Sequence, residues 1–262
     1  MYKKGTSRNI KERVIIVNDY RNDVNDDFKK CQNLEKLLMM IFIIIIVVSI
    51  INVIFNNNYI VYFLIFLNIG YILTSFINDI YFKNNAELER RKTNISNAFN
   101  VNLTSKKTNK FYNNNCAPSL KKLGINIFEN TLYTKNILLI MIINAGIKTF
   151  FLLIMWIFII YNIENINIFQ IAIQFLFSTE IFLNFIKIIY YYCETDKIYN
   201  NLYYLFVTKR YNDVSDIPIL LQFILEYECL KSYCHVSLST KIFNKNKDEL
   251  DKEWNNILKE IQ

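Results

Sequence analysis

Four long runs of apolar residues, almost free of charge, constrain this chain more than any other feature of its sequence. They extend over residues 37–55, 59–77, 137–161 and 166–189. An α-helix rises about 1.5 Å per residue, so 19 residues reach across roughly 28 Å, close to the hydrocarbon thickness of a bilayer. Core helices of soluble proteins rarely run this far without a charge. The sequence therefore predicts an integral membrane protein with four transmembrane helices.

The basic residues indicate how these helices cross the membrane. Of the 30 Lys and Arg, nine precede residue 37, ten lie between Lys83 and Lys135, and ten follow Ile186. The short connections 56–58 and 162–165 carry none. Because cytoplasmic loops are rich in Lys and Arg, we expect both termini and the long middle loop to lie in the cytoplasm, with the protein in the cytoplasmic (inner) membrane. The chain has a net charge of +7, and basic residues beside a membrane attract anionic lipid. This charge therefore needs no nucleic acid to explain it, and no nucleic acid polymer is expected as a partner.

The predicted fold class is an all-α integral membrane protein with two transmembrane hairpins and helices that extend into a cytoplasmic helical region. We divide the chain into an N-terminal arm and helix (1–36), a first transmembrane hairpin (37–78), a cytoplasmic helix, loop and connector (79–136), a second transmembrane hairpin (137–189) and a C-terminal cytoplasmic helical region (190–262).

Helix-capping residues and the positions of Gly and Pro predict where the helices begin and end outside the membrane. The first helix should start near Asn25 or Asp26 and run unbroken into the first span. The second should continue to near Phe99, because no Gly or Pro occurs between Asp79 and Val101. A short helix from Leu120 should be interrupted near Gly124 before the third span.

The C-terminal region should contain three helical stretches. The fourth span should continue to about Lys209, and a new helix should be capped by Ser215 or Asp216, with Pro218 in its first turn. The last helix should begin at Asn246, which has Glu three residues later in a capping-box spacing.

Two opposite charges occur inside the second hairpin. Lys148 lies 13 residues before Tyr161, and Glu180 lies 14 residues after Ile166, so both should reach similar depth on opposite sides of the turn. A charge at the bilayer centre is costly unless it faces protein or water and is paired. We predict that the two residues face each other, either as a structural ion pair or as part of a polar pathway.

Further polar residues follow the fourth predicted span. The first three recur every four positions, and the last follows Glu180 at i+4. All four could face a pore in a homo-oligomer, or could form hydrogen bonds between helices. These pore-lining candidates are Gln170, Gln174, Ser178 and Asn184.

The cytoplasmic regions contain two sets of candidate contact residues. The first set is basic and could meet an anionic ligand or lipid head groups: Arg90, Arg91, Lys92, Lys106 and Lys107. The second set repeats at helical spacing and would either pack on the cytoplasmic bundle or bind a partner helix: Leu250, Trp254, Ile257, Leu258 and Ile261.

Catalytic and cofactor chemistry find little support in the sequence. The single histidine, His235, follows Cys234 in a helix or at its end, and the five cysteines show no zinc-ligand spacing. With four glycines in the chain, no Gly-rich phosphate-binding loop can be formed. We expect no enzyme, no metal and no cofactor.

The segment between the hairpins resembles a known family. The stretches AELERRKTNISNAFNVNL (86–103), FYNNN (111–115) and LGINIFENTLYTKNIL (123–138), with the overall layout, are similar to the SMODS-associating four-transmembrane effectors of bacteria, encoded beside cyclic-oligonucleotide synthases. The resemblance implies a pore-forming, oligomeric membrane effector of anti-phage defence, triggered by a cyclic oligonucleotide or a signalling partner. It implies no catalytic residues.

Three functions therefore stay open at the level of the sequence. The first is the effector just described. The second is a non-enzymatic membrane scaffold or adaptor with the Trp254 helix as its docking face. The third is a small constitutive channel or transporter component that uses Lys148 and Glu180.

Overall fold

The computed structural model describes residues 23–55, 57–106, 112, 114, 116–161, 168–212 and 214–261; for 158–161 and 168–180, among others, the description is of the backbone alone. These described residues form helices and connecting segments, without a β-strand. The helices are α1 (Asp23–Phe55), α2 (Asn58–Ile77), α3 (Asn84–Phe99), α4 (Leu120–Tyr161), α5 (Ile168–Tyr203), α6 (Ile217–Cys234) and α7 (Thr240–Ile261).

Three helical segments are long and apolar enough to cross a membrane: Asp26–Ser49, Asn58–Phe99 and Leu120–Phe151. Their apolar stretches bury few side chains against the rest of the protein. A chain with such surfaces is a membrane protein, because apolar faces of this length need lipid around them. The fourth predicted span coincides with the first part of α5, where side chains up to residue 180 lie outside the described part.

The long helix leaving the second span ends where the sequence predicts. A π-helical turn, Asn78–Lys83, joins α2 to α3 without a break, and α3 ends at Phe99. Asn100 follows in the left-handed conformation with φ of 54°, which asparagine tolerates better than most residues and which ends helices. Likewise α1 begins at Asp23 and continues without interruption into the first apolar run.

The predicted interruption near Gly124 is wrong, because α4 runs unbroken from Leu120 to Tyr161. Gly124 is buried where α6 approaches α4. A Cβ atom placed on it would lie 2.6 Å from Cδ1 of Leu220. The glycine therefore allows two helices to approach closely, and it does not end a helix.

The predicted start of the last helix at Asn246 is also wrong, because α7 begins at Thr240. The backbone carbonyl of Ser239 accepts a hydrogen bond from the Phe243 N–H at 3.0 Å, so Ser239 caps the helix instead. Asn246 lies inside the helix and donates its side-chain amide to the Ile242 carbonyl.

The helices that carry the apolar runs pack as two pairs. In the first pair α1 packs on α2, and in the second α4 packs on α5. The second pair is antiparallel, since Lys135 contacts Asp196 at one level and Gly146 approaches Phe185 at another. From Lys135 to Gly146 the chain advances eleven residues along α4, and from Asp196 to Phe185 it goes back eleven residues along α5.

The main hydrophobic core lies at one end of the second pair. There α6 and α7 pack on the first turns of α4 and the last turns of α5. Phe128 is its centre: its ring lies 5.4 Å from Trp254, 5.3 Å from Tyr199 and 6.0 Å from Phe206. These buried aromatic contacts hold the C-terminal helices against α4 and α5.

Candidate functional site

A groove of about 900 Å³ separates the two helix pairs. Among the described residues the pairs share no extensive packing along their apolar stretches, and α3, which packs on both α1 and α4, is a main connection between them. The groove walls come from α1, α2 and the π-helical turn on one side and from α4 and α5 on the other. We call this space the inter-pair groove.

The two walls of the groove carry different charges. On the first-pair wall, Lys83 contacts Glu35 at 3.0 Å and Asp79 at 2.8 Å, so the cation is shared by two carboxylates. On the second-pair wall stand Lys148 and Lys187, neither of which forms an ion pair with a described residue. Counting only side chains that the structure describes, the second-pair wall is therefore positive, and the first-pair wall is slightly negative.

The α4–α5 register locates the predicted pair of intramembrane charges. Counting from the level that Gly146 shares with Phe185, Lys148 lies opposite Leu183. Glu180 precedes Leu183 by three residues in α5, a rise of about 4.5 Å along the helix. A lysine side chain can reach over one helical turn. The side chain of Glu180 lies outside the described residues, so its pairing with Lys148 stays a prediction.

Of the predicted pore-lining row, Asn184 lines the inter-pair groove. The side chains of the other three candidates lie outside the described residues, although their backbone is helical in α5: Gln170, Gln174 and Ser178.

Arg90 and Arg91 form ion pairs with carboxylates of the protein itself. Arg90 contacts Glu87 through Nε at 2.6 Å and Glu228 through Nη2 at 2.5 Å, while Arg91 lies 3.2 Å from Glu228. Lys231 lies 3.5 Å from Glu87. These five residues form the α3–α6 ion cluster, in which three cations meet two carboxylates. Burial and the neighbouring Arg90 guanidinium lower the pKa of Lys231.

The other basic candidates also have internal partners where they are described. Lys92 contacts Glu89 at 2.9 Å, and Lys106 contacts Asp27 of α1. Lys107 lies outside the described residues. An anionic ligand at any of the four described residues would have to compete with a carboxylate already in place.

The apolar stripe of α7 is covered by the chain itself. Trp254 is fully buried, Leu250, Ile257 and Leu258 are buried, and Ile261 packs on the edge of the main core. The stripe therefore fixes α7 to the bundle and is not exposed to a partner in this structure.

A buried asparagine network connects α3, α4 and the segment between them. Asn126 donates its amide to the side-chain carbonyls of Asn94 and Asn97, each at 3.1 Å, and accepts at 2.7 Å from Asn114. Sequence reasoning missed these residues because the chain is rich in asparagine throughout. The signal that could have found them is the i, i+3 spacing of Asn94 and Asn97 on one face of a helix.

The connection between α6 and α7 closes the groove at one end. His235 ends α6 in the left-handed conformation, and both His235 and Ser237 line the groove with a buried side-chain atom that has no hydrogen-bond partner. Gln32 of α1 holds this connection by donating to the Leu238 carbonyl at 3.2 Å and to the Thr240 hydroxyl at 2.6 Å. We call residues 235–239 the groove floor.

Metal chemistry receives no support from the described residues, which contain no group of three or more His, Cys, Asp or Glu side chains placed to hold an ion. Comparison with known protein families, curated proteins and solved structures finds no match. The resemblance to the SMODS-associating effectors therefore stays a hypothesis drawn from the sequence.

Proposed function

We propose that this protein is a non-enzymatic membrane effector that permeabilises or depolarises the cytoplasmic membrane in response to a cytoplasmic signal. In this proposal α1, α2, α4 and α5 cross the bilayer as two hairpins, and both termini, α3, α6 and α7 lie in the cytoplasm. The active form is a homo-oligomer.

The observation that supports the proposal is the inter-pair groove. A protein that only anchors itself gains stability by packing its apolar helices together, yet here the two pairs are separated by a groove that contains Lys148, Lys187 and several polar side chains. Polar groups at membrane depth face water or protein. A rearrangement that widens the groove, or joins the grooves of several copies, would provide a polar path.

Continuous helices could transmit a signal to this groove. The long helix α4 passes from the main core into the apolar region without a break, as does α5 in the opposite direction. The main core fixes both helices at one end through Phe128 and its aromatic neighbours. A shift of α6 or α7 against this core would therefore move the second hairpin relative to the first.

The family resemblance adds a candidate signal and a setting, namely a cyclic oligonucleotide in anti-phage defence. Arg90 and Arg91 of α3 are held by Glu87 and Glu228. A nucleotide phosphate that displaced these carboxylates would loosen α3 from α6, which is one route from binding to movement.

A depolarisation assay in bacteria tests the proposal. The full chain is expressed from an inducible promoter together with a cyclic-oligonucleotide synthase, and membrane potential is followed with a potential-sensitive dye. We expect growth arrest with depolarisation only when both proteins are made, and its loss in Lys148→Met and Glu180→Ala. Lys36→Met, an exposed lysine of α1 outside the groove, is the matched control.

Other outcomes would contradict the proposal in distinct ways. Ion flux without toxicity, independent of the synthase, would indicate a constitutive channel or transporter component. Absence of any flux or depolarisation, with the protein present in the membrane, would favour a scaffold or adaptor.

A further inference from the structure

Four polar side chains of the second helix pair line the groove at similar depth. Asn144 and Lys148 stand one turn apart on α4, and Asn184 and Lys187 stand one turn apart on α5. The α4–α5 register brings Asn144 level with Lys187, and Lys148 close to the level of Asn184. The four residues therefore fall within about 6 Å along the helix axes. We call them the Asn–Lys patch.

The patch is suited to an anion. Two ammonium groups and two amides supply many hydrogen-bond donors, and neither lysine has an ion-pair partner among the described residues. The carboxylates of the opposite wall, Glu35 and Asp79, are both engaged by Lys83. A cation without a carboxylate partner is unfavourable beside an apolar groove, so an anionic occupant would stabilise any lysine of this wall that Glu180 does not pair.

The rest of the groove is suited to an amphiphile. Its walls near the patch are apolar and include Leu38, Met39, Phe151 and Ile181, whereas its floor presents buried polar atoms of His235 and Ser237 without hydrogen-bond partners. Asn78, which is 1% exposed, also lines the groove with an unpartnered side-chain oxygen. One end thus offers hydrogen bonds and the other offers hydrocarbon contact.

We propose that the inter-pair groove binds one anionic phospholipid of the cytoplasmic leaflet, with its phosphate on the Asn–Lys patch and its acyl chains along the apolar walls. The head group lies over the groove floor, where His235 and Ser237 can bond to its polar atoms. A volume of about 900 Å³ is at the upper end of small-molecule sites and accommodates much of a lipid. The bound lipid fills the space between the two helix pairs.

The choice of the cytoplasmic leaflet rests on the topology given in the proposed function, but the site does not depend on permeation, because a lipid can occupy the groove whether or not the groove ever opens as a pore. Pairing of Lys148 with Glu180 would leave Lys187 as the remaining cation of the patch, so the test replaces both lysines together.

Lipid retention by the purified full chain tests the proposal. The protein in detergent is mixed with equal amounts of phosphatidylglycerol and phosphatidylcholine, and retained lipid is counted by native mass spectrometry. We expect one phosphatidylglycerol per chain, preferred about tenfold, because each lysine near an anionic lipid contributes a several-fold gain in affinity. Replacing both lysines (Lys148→Gln with Lys187→Gln) should remove this preference.

Two further variants separate the site from general lipid contact. Lys36→Gln removes an exposed lysine outside the groove and should retain phosphatidylglycerol like the wild type. Ala145→Phe adds bulk to the groove without changing charge and should lower retention of phosphatidylglycerol about tenfold. Thermal unfolding of each variant shows that it is folded, and a misfolded Ala145→Phe is replaced by Ala145→Leu.

Several results would overturn the proposal. These are equal retention of the two lipids, wild-type retention by the double lysine variant, or an equal loss in Lys36→Gln. Displacement of the lipid by an equal concentration of inorganic phosphate would indicate a simple anion site instead of a lipid site. None of these measurements involves depolarisation, so failure of the lipid site and failure of the proposed function are distinguishable.

Discussion

At the scale of single residues, Gly124 shows how one missing side chain sets the distance between two helices. Leu220, whose Cδ1 would lie 2.6 Å from a Cβ on Gly124, is fully buried and has little room to move. Alanine favours helix over glycine by about 1 kcal/mol, whereas overpacking a core costs about 1–3 kcal/mol. The overpacking should therefore dominate.

We predict that Gly124→Ala lowers the free energy of unfolding by up to about 2 kcal/mol, measured by thermal unfolding in detergent with intrinsic fluorescence. Gly70→Ala is the matched control, because nothing lies within 4 Å of a Cβ on Gly70 in α2, and it should be neutral or stabilising. A loss of the same size at Gly70, or an unchanged loss when Leu220 is also alanine, would contradict the packing explanation.

Asp216 is a second residue with a measurable role, since it holds the turn before α6. Its carboxylate accepts from Lys209 Nζ at 2.6 Å, from the Asn212 N–H at 3.0 Å and from Ser215 Oγ at 3.1 Å. Hydrogen bonding, chiefly from Lys209, holds the pKa of Asp216 below its ordinary value. The Asp216 carboxylate therefore binds a proton more readily in the unfolded chain than in the folded protein.

This pKa shift predicts a pH-dependent contribution to stability. The contribution is complete above the unfolded pKa of about 3.9 and is lost as pH falls through the folded pKa. Asp216→Asn should thus lower the Tm at pH 7, and its difference from the wild type should shrink below about pH 4. Asp248→Asn, at an exposed position of α7, is the control, and an equal Tm difference at every pH would contradict this role.

Single residues also mark the limit of what the sequence predicts. Phe99 as a helix end and Asp216 as a helix start follow from local signals that act within one turn, and the structure confirms both. Gly124 and Asn246 were misread because the same local signals are overridden by contacts with α6 and by the Ser239 cap. The partners of Asn126 could not be predicted, since they come from segments that only the fold brings together.

At the scale of elements, the α3–α6 ion cluster clamps the helix that leaves the second span to the C-terminal region. Each carboxylate in it serves two cations: Glu87 contacts Arg90 and Lys231, and Glu228 contacts Arg90 and Arg91. The sequence offered Arg90 and Arg91 as contacts for an external anion. Periodicity along one helix cannot reveal that a second helix supplies the anion internally.

We predict that Glu228→Gln destabilises the protein by about 3 kcal/mol, because removing one partner of a buried ion cluster leaves uncompensated charge. Glu226→Gln on the same helix is the matched control: Glu226 is exposed and accepts from Gln222 at 2.7 Å, so its loss should stay within about 0.5 kcal/mol. Unfolding monitored in detergent measures both variants. Similar effects at the two positions would show that the cluster does not clamp the helices.

At the scale of the whole molecule, the antiparallel packing of α4 and α5 constrains how the chain can cross the membrane. Phe128, near the start of α4, packs on Tyr199 and Tyr203, near the end of α5. If α4 crosses the bilayer, the end of α5 must therefore return to the side on which α4 began. The apolar composition of residues 166–189 allows this second crossing.

This geometry predicts which positions a membrane-impermeant thiol reagent can reach. Cys193 and Cys229 are exposed and should react only after the cells are opened, whereas cysteines introduced by Asn58→Cys and Asn162→Cys should react in intact cells. Burial raises the pKa of the Cys234 thiol to about 11, so this residue should contribute little labelling. The introduced cysteines are tested with Cys193 and Cys229 replaced by serine. Labelling of native Cys193 in intact cells would place the end of α5 outside and would contradict the proposed topology.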